Sequence, residues 1–438
     1  MYKNIESYLA RGVYPFHMPG HKRNAAFLPN DLLRLDMTEI PGMDVLSSPT
    51  GFIKALQNDI ATFYGADESL FLVNGSSAGV VAAVCYAAAV ADKLIIPRNA
   101  HASMYNGLAL SDILPEYILP EITSDGLAGG ICPDIFEQLP QRSAVLVVSP
   151  TYEGFVSDIA AIAEKVHAQN GLLIVDEAHG AHFAFHDGFP STALENGADI
   201  VINSFHKTLP ALSQTAVLHV KKDRVDIERL KFFVNAMQTS SPSYIFMTAT
   251  DYMLRMLWER PAFFDEYFAR LVEIRASLAA YGLSGKEQIG KDAVFDMDIG
   301  KLLFSVDNAE KTAEILAEKY FVQMEMAAQR HMLAMTSVAD TNEGFQRLED
   351  AIKATCAAIR MDDVKYHSFV APEIILSPYE ALRTPSKSIL WEEAVGKISA
   401  QLVVDYPPGI AIVAPGERIP VHFHQVPKKS PYIRVVDQ

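Results

Sequence analysis

Two residues of this chain stand where their side chains could do chemistry together: Asp176 in LLIVDEAHG and Lys207 in DIVINSFHK. Each ends an apolar run of strand type. They lie thirty-one positions apart (207 − 176 = 31), room for a crossover between two strands of one sheet. Open α/β sheets bind ligands at the carboxyl ends of their strands. A carboxylate and an amine held there, with the hydroxyl of Ser204 and the imidazole of His206 beside them, suit an aldehyde cofactor with a basic ring nitrogen. Pyridoxal phosphate (PLP) needs a lysine for its Schiff base and an acid for its pyridine nitrogen. Taken singly, each residue has a plainer reading: a solvated surface lysine, and a strand-end aspartate capping the next helix.

Other groups join them. In DESLFLVNGSSAG a short strand runs into a turn, and an alanine-rich helix is expected from about Ala78. Backbone N–H groups at that helix start, with Gly75, Ser76 and Ser77, make an anion cup, although serine and glycine are also ordinary cap residues. The turn is not a nucleotide P-loop, because no Lys-Ser/Thr pair follows a GxxxxG. His101 follows the strand KLIIPR, where a planar imidazole can stack on a cofactor ring. Glu153 in SPTYEG is a strand-end acid, open to helix-capping or cofactor-orienting roles. A metal needs three converging ligands; His179 and His182 with Asp176 form the only dense set, and Asp176 has a better use, so no metal is expected. DEAH at 176–179 also spells the acidic box of nucleic-acid-dependent ATPases, but the nucleotide loop that reading requires is missing upstream. GSSAG (75–79) has GxSxG spacing but is read as the anion cup, and no GxGxxG loop is present.

The elements that must position these groups alternate. Short apolar runs and helical stretches succeed one another from DESLFL to QTAVLHVK, the pattern of a mostly parallel, helix-covered sheet. After Lys221 the chain reads as largely helical, a smaller α/β unit follows from about residue 290, and FQRLEDAIKATCAAIR adds a helix. A final section holds an expected helix, SILWEEAVGKISAQLV, and the turn-rich DYPPGIAIVAPGERI. The N-terminal YLARGVYPFHMPGHKRN reads as an arm or a surface loop, and His422 and His424 as a surface pair on a terminal strand. The 438 residues exceed one average core. At 50% hydrophobic and 21% charged the chain is not disordered. Three scattered cysteines form neither a disulfide framework nor a zinc cluster. No apolar run is long enough to span a membrane and no signal peptide precedes the first motif, so a cytoplasmic protein is expected. A formal net charge of −16 argues against a nucleic-acid partner.

Read in order, PFHMPGHKRN (15–24), NGSSAG (74–79), PRNAHAS (97–103), SPTYEG (149–154), VDEAHGAH (175–182), SFHKTLPALSQTA (204–216) and PPGIAIVAPGE (407–417) resemble the Orn/Lys/Arg decarboxylases. These are PLP enzymes of the aspartate-aminotransferase fold type I. The resemblance implies an α/β fold with a mostly parallel seven-stranded sheet in a large domain and smaller α/β C-terminal domains. The segments expected are an arm and linker (1–60), a PLP-binding large domain with a long connecting helix (61–289), a small α/β domain (290–364) and a family-specific C-terminal domain (365–438). It implies that Lys207 is the Schiff-base lysine, that Asp176 keeps the ring nitrogen protonated, and that His101 stacks on the ring. Gly75, Ser76 and Ser77, with Ser204 and His206, then form the phosphate site, and His179 packs beside the ring. Ser76 stands where family members commonly carry threonine. Glu417 is expected near the substrate's distal cation. The implied reaction is decarboxylation of a basic amino acid, arginine before lysine or ornithine, because this is the compact form without an N-terminal wing domain. A homodimer sharing its pockets, or a higher homo-oligomer built from such dimers, is expected. An aminotransferase or another lyase built on the same Asp176/Lys207 pair, and a non-catalytic relative, are the rivals.

Overall fold

The runs SAVLVV, LLIVD and IVIN are apolar almost without a break, as strands covered by helices on both faces must be. The computed structural model describes residues 10–17, 20–27, 35–40, 42–356, 371–405, 409–421, 423 and 430–437, and these runs lie at the centre of its largest sheet. In chain order the elements are β1 (Tyr14–Phe16), α1 (Phe52–Tyr64), β2 (Glu68–Leu72), α2 (Gly75–Val90), β3 (Lys93–Pro97), α3 (Ala102–Leu110) and β4 (Pro115–Ile118). Then come β5 (Ser143–Val148), β6 (Phe155–Val156), α4 (Ile159–Ala168), β7 (Leu172–Asp176), β8 (Ile200–Asn203), α5 (Phe205–Thr208) and β9 (Ala216–Val220). Three helices follow: α6 (Ile227–Ala236), α7 (Tyr244–Glu259) and α8 (Ala262–Leu278). The smaller α/β unit holds β10 (Asp296–Met297), β11 (Lys301–Ser305), α9 (Ala309–Lys319), β12 (Val322–Met324), β13 (Met326–Ala328), β14 (His331–Met335) and α10 (Asn342–Thr355). The last section contains α11 (Pro378–Arg383), β15 (Ser386–Leu390), β16 (Val403–Asp405), β17 (Ile410–Val413) and β18 (Tyr432–Val436).

The central sheet has seven strands in the order β2-β9-β8-β7-β5-β3-β4. Strands β4, β3, β5, β7 and β8 run parallel. Only β9 is reversed, pairing antiparallel with both β8 and β2. Alternate residues of each strand face opposite sides. Leu146, Ile174, Ile200 and Ile202 pack into one core with Val84 of α2 and Leu108 of α3. Val145, Val147, Leu173, Val175 and Val201 enter the other with Ile162 of α4 and Leu271 of α8. Each such buried side chain stabilises the fold by roughly 1.5–3 kcal/mol, so the sheet that carries the strand ends is rigid.

Elsewhere the structure departs from the sequence reading. The segment 388–403, expected as a helix, opens on β15 instead, whose Ile389 lies opposite Ile433 of β18. Trp391 then stacks on Phe423 with centroids 4.2 Å apart. Partners more than thirty residues away thus override the local helical spacing. The N-terminal arm is not a loose loop either: β1 pairs in parallel with β12. Buried Lys22 donates from Nζ to the carbonyls of Met335 and His17. The predicted helix over 345–360 is α10; its last four residues, with Met18, Pro19, Pro407, Pro408, His422 and His424, lie outside the described residues. Among the described residues no helix is long and apolar enough to cross a membrane.

Candidate active site

The turn after β2 leads into α2 three residues earlier than expected. Gly75 has φ +78, a left-handed conformation that a side chain would strain, and it is the first residue of the helix. Asn74 caps α2 without a side-chain hydrogen bond. The amides of the first turn, which lack partners inside any helix, therefore open with Ser76 and Ser77 onto a cavity of about 500 Å³. That is the size of a small-molecule site.

Asp176 closes β7 and Lys207 rides on α5, just past β8, so the two stand at the ends of neighbouring parallel strands. Both line the cavity. Asp176 is buried, and its Oδ1 accepts the Ala178 amide at 3.1 Å. Fully buried Phe205 and Leu209 flank the lysine and pin its short helix into the core. Burial pushes the Lys207 amine below the usual lysine range, with the charges of Asp176 and Glu325 opposing the shift.

Three histidines surround the pair. His101 caps α3, its Nδ1 accepting the Ser103 amide at 3.2 Å and lying 2.8 Å from the Ser103 hydroxyl, which fixes the ring at the cavity mouth. His206 lines the cavity and sets Nδ1 3.2 Å from the Thr215 carbonyl and 3.1 Å from the Ser204 hydroxyl. A proton on Nδ1 satisfies the carbonyl, so Nε2 is the nitrogen left for a ligand. Ser204 is itself fully buried and is not among the cavity residues; it orients His206 instead of offering its own hydroxyl. His179 lies between two amines, with Nε2 3.1 Å from Lys207 Nζ and Nδ1 2.8 Å from Lys301 Nζ.

Glu153 is buried in the cavity wall, its Oε1 has no hydrogen-bond partner, and burial raises its carboxyl to about 7. Helix capping is not its role, because α4 is capped by Asp158. The arm also reaches this centre from behind. Gly20 donates its N–H to the His206 carbonyl at 2.6 Å, and its own carbonyl accepts the Ser337 hydroxyl at 2.5 Å. A Cβ at Gly20 would sit 2.5 Å from the Leu209 carbonyl oxygen. Gly20→Ala is therefore expected to push α5 inward. It should cost about 1–3 kcal/mol in chemical denaturation, as overpacking does, and weaken retention of any ligand bound to Lys207.

Two other residues singled out in the sequence, Glu417 and His182, lie away from the cavity lining. Glu417 does not face the cavity: it is fully buried, Arg98 grips both of its carboxylate oxygens, and Oε2 also accepts the Ala414 amide. A carboxylate so buried and paired is out of reach of a substrate cation in the cavity. His182 is not among the residues that line the cavity; its Nε2 meets Asp298 at 3.2 Å. Sequence reasoning missed Lys301, although a lysine opening the apolar run KLLFS is an anomaly that could have been flagged. It also missed Val404 and Gly409, which bring the last section of the chain to the cavity wall.

A cup of free amides with two hydroxyls, an amine, a carboxylate and a planar imidazole converge on this one cavity. It can hold an anionic group at one end and keep a reactive carbonyl beside an amine. Residues 1–323 match the family model described as "Orn/Lys/Arg decarboxylase, major domain", and residues 363–435 match its C-terminal domain. The chain is 31% identical to arginine decarboxylase of Bacillus cereus over 431 residues, covering 93% of this chain and 94% of the relative. It is 30% identical to that of Bacillus subtilis over 444 residues, covering 96% and 91%. Among solved structures, lysine decarboxylase A from Pseudomonas aeruginosa superposes with a TM-score of 0.76 at 17% identity, over 99% of this chain and 79% of that one. A structure of SPT with PLP superposes with a TM-score of 0.53 at 14% identity, over 70% and 77%. Likeness at these identities speaks to fold alone.

Proposed function

This chain belongs to the Orn/Lys/Arg decarboxylase family, and from that premise we propose that it is a PLP-dependent enzyme that removes the carboxylate of a basic amino acid, arginine first. The fold is the α/β type I arrangement of PLP enzymes, with its mostly parallel seven-stranded sheet. The observation that carries the proposal is the meeting of Asp176 and Lys207 in one cavity with the open amides of α2. That donor set fits PLP group by group: amides and hydroxyls for the phosphate, an amine for the aldehyde, and a carboxylate for the ring nitrogen.

PLP, when bound, supplies the electron sink for the pair left behind as CO2 departs. The chain's own residues do the rest. The Gly75, Ser76 and Ser77 amides and hydroxyls hold the phosphate, helped by His206 Nε2 and the positive end of α2. Asp176 keeps a proton on the ring nitrogen. His101, held at the mouth by Ser103, would stack on the ring and keep water from it. Lys207, which lines the same cavity, would supply the amine for the aldehyde, and its Nζ could carry a proton to the substrate. Arginine leads because the relatives of that name match over more than nine tenths of this chain at 30–31% identity. Lysine decarboxylases match at 22–24%. A homodimer is the proposed assembly.

Incubating the PLP-loaded protein with arginine, lysine and ornithine, and measuring amine and CO2, tests the reading. Agmatine should form fastest. Keto acid without CO2 would replace the decarboxylase with an aminotransferase, and a protein that PLP does not colour would end the enzyme reading.

A further inference from the structure

Lys301, the first residue of β11, is fully buried and hydrogen-bonds to His179, whose ring lies between its amine and that of Lys207. We infer that Lys301 is a positioning residue: acting through His179, it keeps the Lys207 amine uncharged and stores the proton that amine later needs. The inference rests on the reading of Lys207 as the amine that captures the aldehyde.

The logic is one of donors and acceptors. A neutral imidazole has one N–H and one accepting nitrogen, and an ammonium group only donates. Two ammonium groups therefore cannot both be satisfied by one neutral ring. A charged imidazole is excluded by burial and by the cations beside it, which together hold His179 well below the usual histidine range. One positive charge is thus shared between the two amines. If Lys301 carries it, Nδ1 accepts, Nε2–H points at Lys207, and Lys207 must offer a lone pair.

The surroundings favour that arrangement. Lys301 feels the charges of Asp298 and Glu325 and, more weakly, the carboxyl of Glu153, against the opposing charge of Lys207, and the Tyr152 ring lies 5.8 Å from its Nζ. Asp298 is tied to His182, and Glu325 accepts the Tyr152 hydroxyl at 2.8 Å. Lys207 feels Asp176 and Glu325, and Asp176 is the carboxylate already committed to the ring nitrogen. Burial lowers Lys301 to about 8, so its proton is not locked in place. Transfer is balanced: a proton passes from Lys301 Nζ to Nδ1 while the Nε2 proton passes to Lys207 Nζ. Two N–H bonds break, two form, and nothing is oxidised. Gly154 lets Lys301 lie against its backbone, since a Cβ there would be 2.7 Å from Lys301 Cγ.

The test uses the full-length chain and reads the pH midpoint for acylation of Lys207 by an amine-selective reagent, followed by peptide mass spectrometry. The pH dependence of PLP capture, read from its visible absorbance, is recorded alongside. Lys301→Met should raise both midpoints by about one unit, leaving about tenfold less uncharged amine at neutral pH. Lys301→Arg, a permanent donor-only cation, should keep them low. In a His179→Phe background the Lys301→Met shift should fall by half or more, because the two act through one ring. Lys301→Gln carries the same expectation as methionine should that variant not fold. An unmoved Lys207 midpoint, or an equal shift with and without His179, overturns the inference. Lack of PLP colour in the parent protein would strike the functional reading, and the acylation profile would still judge Lys301.

Discussion

Lys207→Ala is expected to give a folded protein that no longer holds PLP covalently and whose amine output falls by roughly 10³-fold or more, the scale on which loss of a catalytic nucleophile is felt. The frame around the position argues that the loss will be chemical. Phe205 and Leu209 bury their side chains on either side of the lysine, and the Phe205 amide and the Leu209 amide bond to the Thr215 and Phe205 carbonyls. None of these contacts uses the lysine side chain. Its amine is desolvated in the folded state, so truncation removes an unfavourable burial, and thermal or urea unfolding should change little. Borohydride reduction followed by peptide mapping separates the outcomes: the parent protein should carry the cofactor mass on the peptide containing Lys207, and the variant nowhere. A variant that still turned over at a tenth of the parent rate would remove Lys207 from the chemistry.

The second large effect lies away from the reacting groups. Arg98, directly after β3, and Glu417 are both fully buried and face each other across 319 positions of sequence. Arg98 also donates to the Ala411 carbonyl at 3.1 Å, and its guanidinium lies 4.5 Å from the centroid of the Tyr117 ring. Arg98→Met would strand a carboxylate in the core, at a cost of about 3–5 kcal/mol. Burial already raises the Glu417 carboxyl, with the arginine opposing it. Without Arg98 it rises further, and the folded state then holds a proton that the unfolded chain releases. Folding stability therefore falls as pH rises from the unfolded carboxyl range through the folded one. The deficit should be larger at pH 8 than at pH 5. Adding Glu417→Leu should recover most of the loss at both values, and urea unfolding of the four-member cycle measures the coupling. The single variant should also bind PLP less tightly, because Val404 and Gly409 of the cavity wall flank the strand that Arg98 anchors through Ala411.

How much of this was legible varies with distance along the chain. Asp176 and Lys207 were visible because each ends an apolar run, and an ionisable group there is conspicuous. The amide cup was visible as Gly75, Ser76 and Ser77 before an alanine-rich helix, although the helix begins at the glycine itself. His101 was visible only as a histidine after a strand. Lys301 could be flagged as a lysine at the head of KLLFS, but its partner could not, because His179 meets it only when β11 is laid beside the turn that carries the histidine. Glu417 was misplaced for the same reason: nothing near it in sequence announces Arg98 as its partner. The segment 388–403 has helical spacing, but its pairing strand begins at Tyr432, and no local window contains both.

The pairing of β1 with β12 bears on how the protein comes into being. Tyr14 and Val322 are partners separated by 308 positions (322 − 14 = 308). The arm that backs α5 through Gly20 is made before the central sheet, yet its neighbouring strand is made only after the whole of that sheet. A contact of such long range is slow to close, and its unpaired edge is exposed meanwhile. The growing chain can assemble its sheet, with Asp176 in place, well before α5 acquires its backing. Capture of a cofactor that needs Lys207 in place would then be a late event in maturation, and nascent chains halted short of β12 should carry the strands of the site without the Lys207 amine in position.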